Sequence, residues 1–477
     1  MASYIAQGGT TLYFVSKSGT LTPITMPTGV TVTGTSVPCR AVLFGSGSDP
    51  YIIIVNGVSS DIYIDKYGNA RTLNVVAPIV GPTVTTGALT GPTGPPTTLI
   101  SGIYAAAASF KVKTVSGALI LESGLSPIST GSPSVSTGSL AVASIPVSSE
   151  PSVNARGLYR TLSGGNVLYP WFDIDNNTTL SDDRAGSDAS MSLLPTTATS
   201  NGGPPLLKLV TAWKDILWGV PRNIIDHLRW TESRLFYAWS ATNEIIIPPQ
   251  NTDTYGITAL IPRRDQLGVA RRDRLYQITG DGNDTFARTQ VSPNIGCLSQ
   301  ESVVIIRDVA YWLGERGVVE WTSESCGYVT EAQVDPWFTT DEYFNRSMFT
   351  SAQGRYNPDT DSYELLVALL GSSSLNAWIS FSLRARAWYG PHITSLSLSC
   401  CGSDSERNGY LRDSNSFPIA VFGTTTGYLE KRDPTVADDD GNAVAFDVTL
   451  PVIGSFAPEQ EKVWLDPTLH SRVEPGL

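Results

Sequence analysis

Five cysteines (Cys39, Cys297, Cys326, Cys400 and Cys401) and three histidines (His227, His392 and His470) are the obvious candidates for metal or thiol chemistry in this 477-residue chain. A zinc site gathers such donors at short, recognisable spacings. No Cys-x-x-Cys pair occurs and no histidine stands at ligand spacing from another, so no zinc is expected. An odd cysteine count also suits no disulfide framework, and the five read as reduced thiols, mostly buried. Signatures of nucleophilic catalysis are missing too, since neither a Gly-x-Ser-x-Gly elbow nor a Walker phosphate loop occurs. His227, within Ile225-Asp-His-Leu-Arg229, could serve as a base, but nothing in the sequence ties a nucleophile to it; a histidine satisfied by its neighbours is the stronger reading. Asp438-Asp-Asp-Gly-Asn442 alternates acidic oxygens as a calcium loop does. The Gly and Glu that an EF-hand needs at its sixth and twelfth places are here Ala443 and Thr449, which favours a solvated hairpin loop. Arg263, Arg264, Arg271, Arg272 and Arg274 form the densest basic cluster. The reading is therefore a protein without cofactor or metal, and not an enzyme.

The elements that would hold these groups are short strands. Charged residues make up only 16% of the chain and hydrophobic ones 41%, against roughly 25% charged in an average globular protein. Abundant Thr, Ser, Gly, Tyr and Trp suit strands joined by tight turns. The formal net charge is −12, with no basic tract, which disfavours tight nucleic-acid binding. No apolar run is long enough to span a membrane, and the start, MASYIAQGGTTLYF, has neither the basic nor the apolar part of a signal peptide. Synthesis in the cytoplasm is expected.

Residues 1–76 hold strand-like runs such as Thr11–Val15, Ala41–Phe44, Tyr51–Val55 and Asp61–Ile64, the last entering a turn at Lys66–Asn69. Residues 77–99 are rich in Pro, Gly and Thr and read as a linker. Residues 100–195 alternate as a small β-sandwich does, with Ser109–Val115, Gly138–Ile145, and Leu158–Leu162 turning at Gly164-Gly165-Asn166 into Val167–Ile174. After a break at Asn201–Pro205, residues 205–450 present aromatic hairpin units, among them Leu235–Trp239, Ile257–Ile261, Leu267–Ala270, Arg274–Ile278, Val309–Leu313, Gly317–Trp321 and Tyr363–Leu370. Such units at regular intervals are how propeller blades look in sequence, and none could bury its apolar face alone. Trp213, Trp218, Trp230, Trp239, Trp312, Trp321, Trp378 and Trp388 are read as blade core. A helix is expected only over Pro336–Asn345, and 451–477 is a carboxy-terminal extension. The fold class is thus all-β, a discontinuous β-propeller with an inserted β-sandwich, which the resemblance described next implies to be fibronectin-type-III-like.

Several motifs, taken in order, resemble a family. Leu121-Glu-Ser-Gly-Leu-Ser-Pro127, Gly157-Leu-Tyr-Arg-Thr161, Asp175-Asn-Asn-Thr-Thr179 and Ser181-Asp182-Asp183 resemble the turn, core strand and closing segment of a fibronectin-like domain common in phage virion proteins. Arg274-Leu-Tyr-Gln-Ile-Thr-Gly280, Val291-Ser-Pro-Asn-Ile-Gly-Cys297, Ser302-Val-Val304, Tyr311-Trp-Leu-Gly314 and Gly317-Val-Val-Glu320 continue the likeness. Together they resemble the tail nozzle of short-tailed phages, also called tail tubular protein B or the packaged-DNA stabilisation protein. The resemblance implies a homohexameric ring in the virion tail, below the portal–adaptor complex and beside tail fibre or spike proteins, with transient contact to genomic duplex DNA. It carries no catalytic residues. Within it, Arg263, Arg264, Arg271, Arg272 and Arg274 would lie on the channel wall or a subunit interface; otherwise they are a solvated strand edge. Thr279-Gly-Asp-Gly-Asn-Asp-Thr-Phe286 resembles the Asp-box of sialidase propellers, itself a structural hairpin turn, with Asn283 where Gly is usual. Two rival readings stand beside the nozzle: a receptor-binding or fibre-anchoring tail protein, and a carbohydrate-active propeller enzyme, which would need converging carboxylates.

Overall fold

The computed structural model describes residues 2–432 except 17–19, 29, 33–38, 46–49, 88–101, 130–133, 136–138, 185–187, 192–203, 241, 250–254, 283–284, 332, 403–410, 413–417 and 432, together with a hairpin at 438–439 and 442–443. The chain is all-β, and all its strand pairings among the described residues are antiparallel within small sheets. It divides into two compact units, Met1–Arg432 and Asp433–Leu477.

Within the first unit, five meanders follow one another. The first is Arg40–Phe44, Tyr51–Val55, Ile62–Ile64 and Ala70–Thr72; the second is Leu207–Trp213, Ile216–Pro221, His227–Trp230 and Glu244–Ile246. The third runs through Ala259–Pro262, Leu267–Ala270, Leu275–Thr279 and Ala287–Ser292, and the fourth through Val304–Ile306, Val309–Gly314, Gly317–Trp321 and Cys326–Tyr328. The fifth comprises Gln353–Asn357, Ser362–Val367, Leu375–Ser382 and the 15-residue Ala387–Cys401, and is extended by Val421–Thr424 and Leu429–Lys431. The second strands Ile216–Pro221 and Leu267–Ala270 are buried from end to end, because both sheet faces are covered. That is why their sequences read as continuous apolar runs instead of alternating ones. The turn at Lys66–Asn69 forms as expected. Asp65 Oδ1 accepts from the N–H groups of Tyr67 and Asn69 at 2.9 Å, and Gly68 takes the positive φ of +86° that such a turn demands.

Each meander packs face to face on the next. Phe44, Ile53, Tyr63 and Leu73 share a core with Leu207, Leu217, Phe236 and Trp239; Trp218, Trp230 and Leu228 with Leu260, Val269 and Ile278; Ile261 and Leu275 with Trp312 and Trp321; Tyr311 and Leu313 with Tyr363, Leu365 and Phe381. A three-stranded amino-terminal sheet (Ala2–Gly8, Thr11–Ser16, Leu21–Pro23) covers the other face of the first meander through Leu12 and Ile24 against Ile54, Ile62 and Ile64. First strands of neighbouring meanders adjoin: Arg40–Phe44 lies against Leu207–Trp213, which lies against Ala259–Pro262, and Val304–Ile306 lies against Gln353–Asn357. No sheet among the described residues mixes strands from before and after the inserted segment; the two parts join by face packing.

Besides a two-stranded pair of Gly102–Ile103 with Ser134–Val135, the inserted segment is two sheets, one of Leu119–Glu122, Ala106–Lys113, Ala155–Thr161 and Leu168–Ile174, the other of Asp182–Arg184, Ser139–Ala143 and Thr83–Gly87. They share a core of Val84, Tyr104, Leu140, Ala108, Val142 and Leu158, with Trp171 against it. The stretch expected as a linker over 77–99 thus contributes a strand, Thr83–Gly87, paired with Ser139–Ala143; residues 88–99 lie outside the described ones. Two further expectations differ. Leu235–Trp239 is not a strand but two successive tight turns, closed by Leu235 N–H to Glu232 O at 3.1 Å and Ala238 N–H to Leu235 O at 3.0 Å, which drive Phe236 and Trp239 into the core. The helix expected over Pro336–Asn345 is a single α-turn at Asp335–Thr339, followed by a 3₁₀ turn at Arg346–Ser351. In the second unit, Asp438 pairs with Ala443 and Asp439 with Asn442, a hairpin in backbone terms.

Candidate functional site

The five clustered arginines do not share a surface. Arg263, Arg271 and Arg274 are buried, at 3%, 0% and 6% exposure, so for these three neither a channel wall nor a solvated edge holds. Arg263, leaving the first strand of the third meander, reaches forward to the fourth. Its Nε donates to Asp308 O and its Nη1 to Thr322 O, both at 2.9 Å, and its guanidinium lies 4.7 Å from the Trp321 ring centre. Arg271 reaches back to the second meander, where Nη1 donates to the Asp226 carboxylate and, at 3.1 Å, to Ile247 O. Arg274 grips its neighbour Asp273 with two hydrogen bonds. Arg264 projects outward while its backbone N–H binds Asp308 Oδ1 at 3.0 Å, and Arg272, 38% exposed, lies over Tyr255. The planar, multiply donating guanidinium suits this stitching of sheet to sheet.

A cleft of about 320 Å³ opens between the fourth and fifth meanders, lined by Glu320, Cys326, Tyr328, Glu331, Phe381 and Arg386 among others. Of its two carboxylates, Glu320 is committed. Glu320 receives both Arg386 Nη groups, at 2.5 and 2.9 Å, and the Tyr311 hydroxyl at 2.6 Å. Burial alone would raise its proton affinity, but these hydrogen bonds outweigh that and hold the carboxyl below the usual range. Burial pushes the Cys326 thiol up to about 12, leaving almost no thiolate at neutral pH. At Glu320 and Cys326 the cleft thus holds a meander-to-meander ion pair and a protonated thiol.

Two charged arrangements at the first strands had no sequence signal beyond single letters. Arg40 opens the first meander: its Nε stands 2.8 Å from Glu301 Oε1, its Nη2 donates to Glu301 Oε2 at 3.3 Å, and its Nη1 to Lys208 O at 3.1 Å. One residue before Glu301, Gln300 exchanges hydrogen bonds with the N–H and C=O of Leu260, at 2.6 and 3.1 Å. Three meanders and the entry to the fourth are thereby tied together. Asp61, 1% exposed, accepts the Leu207 N–H at 2.8 Å, and Asn74 donates to Pro204 O and Pro205 O at 3.0 and 3.1 Å. Together they clamp the chain where it returns from the inserted sheets. Burial pushes the Asp61 carboxyl up to about 8, against the smaller opposing pull of the Leu207 N–H and the Asn74 side chain.

The remaining sequence candidates fall in ordinary places. His227 Nδ1 lies 3.1 Å from Glu244 Oε2 on the adjacent strand, and His392 stacks on Trp378 at 5.5 Å; His470 lies outside the described residues. All five cysteines are free, with Cys297 buried, Cys400 exposed and the rest half-buried. Six of the eight tryptophans read as core are buried; Trp378 and Trp388 are half-buried against the fifth meander. The Asp-box-like stretch keeps a turn, in which Thr285 Oγ1 accepts the N–H groups of Asp281 and Gly282 at 3.1 and 3.0 Å, while Asn283 lies outside the described residues. Among the described residues no three His, Cys, Asp or Glu side chains gather as metal ligands would, and no helix is long and apolar enough to cross a membrane.

No family profile and no curated protein sequence matches this chain. Among solved structures, it is similar to a puromycin hydrolase mutant complexed with PGG, at 11% identity and a TM-score of 0.28. That alignment covers 83% of this chain and 54% of the other, so the chain spans about half that protein's length. A likeness at this level carries no argument about function.

Proposed function

We propose that this chain is a structural virion protein, the tail nozzle of a short-tailed phage: a homohexameric ring, built from propeller-type subunits, that continues the DNA channel from the portal–adaptor complex. The observation that carries the reading is the place of the insertion. An inserted set of β-sheets interrupts a series of face-packed meanders after the first of them, between Thr72 and Leu207, and an insertion at that place supports the arrangement the motif resemblance implies. Adjoining first strands suit propeller blades around an axis. The role is mechanical. Sheets stitched by Arg263, Arg271 and the Glu320–Arg386 pair resist deformation, and the −12 balance keeps passing DNA from adhering. The reading assigns it no catalysis; the Glu320 carboxylate of the cleft is held by Arg386 and Tyr311 and the Cys326 thiol is protonated.

Native mass spectrometry and electron-microscope class averages of the purified protein, alone and with portal–adaptor complex, test this. Six-fold rings are expected, together with particles that package but do not retain DNA when the protein is missing. A three-fold assembly would favour the fibre-anchoring reading instead. A stable monomer that hydrolyses a glycan would overturn the proposal.

A further inference from the structure

The chain leaves the first meander after Asn74 and returns to the meanders at Leu207, and Asp61 stands where these two ends meet. Its backbone N–H donates to Asn74 Oδ1 at 3.1 Å, its C=O accepts the Leu73 N–H at 2.8 Å, and its Oδ2 accepts the Leu207 N–H at 2.8 Å. The returning chain has few other ties. Pro204 and Pro205 have no N–H to give and are held through their carbonyls by Asn74 Nδ2; Leu206 O accepts the Arg222 N–H at 2.8 Å. Just beyond, the ladder is interrupted. Leu207 faces Pro221 and Leu209 faces Val220, so Lys208 is the extra residue of a β-bulge, which disrupts pairing locally. The junction can therefore part from Asp61 without unzipping the strand behind it. Burial of the Leu207 side chain in the shared core keeps that opening rare.

Asp61 is 1% exposed, and its Oδ1 is buried with no hydrogen-bond partner among the described residues. No ion pair offsets it. Of the charged groups on the elements around it, Asp65, Arg71 and Glu150 bear on Tyr63, Arg40 is held by Glu301, and Arg222 donates to Val58 O at 3.2 Å; none of these, nor Lys208, acts on Asp61. A carboxylate so placed is costly to bury. We propose that Asp61 is a proton-held latch at the base of the insertion: its neutral carboxyl keeps the returning chain docked on the first meander, and loss of the proton opens the Pro204–Leu207 junction while the meanders stay folded. Opening admits water to the carboxyl, which then ionises as an ordinary aspartate does, near about 3.9. Each opening thus releases one proton and each closure takes one up. The closed form holds its proton up to about pH 8. The opening constant is therefore lowest below about pH 4, rises about tenfold per pH unit between about 4 and 8, and levels off above, where the closed form is itself ionised.

Hydrogen exchange of the full-length protein, resolved to single amides by mass spectrometry and corrected for the intrinsic rate at each pH, tests this between about pH 5.5 and 7.5. Protection of the Leu207 and Arg222 amides should fall roughly a hundredfold over that range, while amides of the Leu267–Ala270 strand in the third meander hold steady. Asp61→Asn, which keeps an acceptor for the Leu207 N–H, should abolish the pH dependence. Asn74→Ala, which removes the tie to Pro204 and Pro205 and leaves the acid in place, should lower protection at every pH without changing the slope. A Leu207 amide whose protection does not change with pH would overturn the proposal. So would Asp61→Asn keeping the slope with its fold intact, or exchange in Leu267–Ala270 moving in step, since the opening would then be an unfolding of the whole.

Discussion

At the residue scale, energy is concentrated in a few buried charges. Arg263 and Arg264 are adjacent in sequence and opposite in circumstance. Replacing Arg263 by Met removes three hydrogen bonds and a ring contact and strands two carbonyls; it should cost about 2–4 kcal/mol in urea unfolding. Arg264→Met, at an exposed side chain, should stay within about 0.5 kcal/mol. Equal losses at the two positions would contradict the seam assignment. Asp61 gives a pH prediction of definite sign. Its carboxyl titrates near 8 in the folded chain and near 3.9 when unfolded. The stability contributed by its proton is therefore full below about pH 4, declines as pH rises, and is gone once pH passes about 8, by at most about 1.4 kcal/mol per pH unit. Asp61→Asn keeps an acceptor for the Leu207 N–H but cannot ionise. Its stability relative to the parent should rise steadily between pH 5 and 8.5 in parallel urea titrations; a constant difference would exclude the buried acid as the cause.

At the element scale, strands were legible and their partners were not. Tyr51–Val55, Leu267–Ala270 and Gly317–Trp321 stand where apolar runs between turn residues put them. The strand Leu207–Trp213 carries a plain alternation of Leu207, Leu209, Thr211 and Trp213, yet Lys208 as a bulge is invisible, because register depends on the partner strand. Leu235–Trp239 has strand composition and forms turns, since aromatic runs report burial more directly than backbone shape. The arginine cluster was conspicuous, but Asp226 and Asp308 lie 45 residues from Arg271 and Arg263, and nothing local announces them. The same holds for Gly157 in the Gly157–Thr161 motif. A Cβ there would come within 2.6 Å of Lys111 Cε and 2.7 Å of Ser109 Oγ. The glycine thus makes room for Lys111, which pairs with Asp173 at 2.7 Å. Gly157→Ala should cost about 1–3 kcal/mol through this overpacking, and Gly157→Ala with Lys111→Ala should recover part of it; a lone substitution without effect would show that the lysine swings free.

At the scale of the whole molecule, the inserted sheets and the first meander are not independent bodies. Phe110, Val112, Ile120, Leu121 and Val153 of the insertion share one core with Phe44, Ile53, Leu217 and Trp239. The insertion's own inter-sheet core is separate and smaller in its side chains, centred on Leu140, Val142 and Leu158. The packing makes the insertion a domain that needs a neighbour on its outer face. Deleting residues 1–75 removes that neighbour and also uncovers Leu207, Leu217 and Trp239 of the second meander, an apolar face that soluble proteins rarely leave open. The deletion variant should aggregate or bind a hydrophobic dye strongly. A variant retaining 1–75 but carrying Phe110→Ser and Leu121→Ser should stay soluble, with a lowered unfolding midpoint, because the first and second meanders still cover each other. Should the deletion variant prove soluble, with an unchanged midpoint, the shared core would be incidental and the first meander a detachable cap.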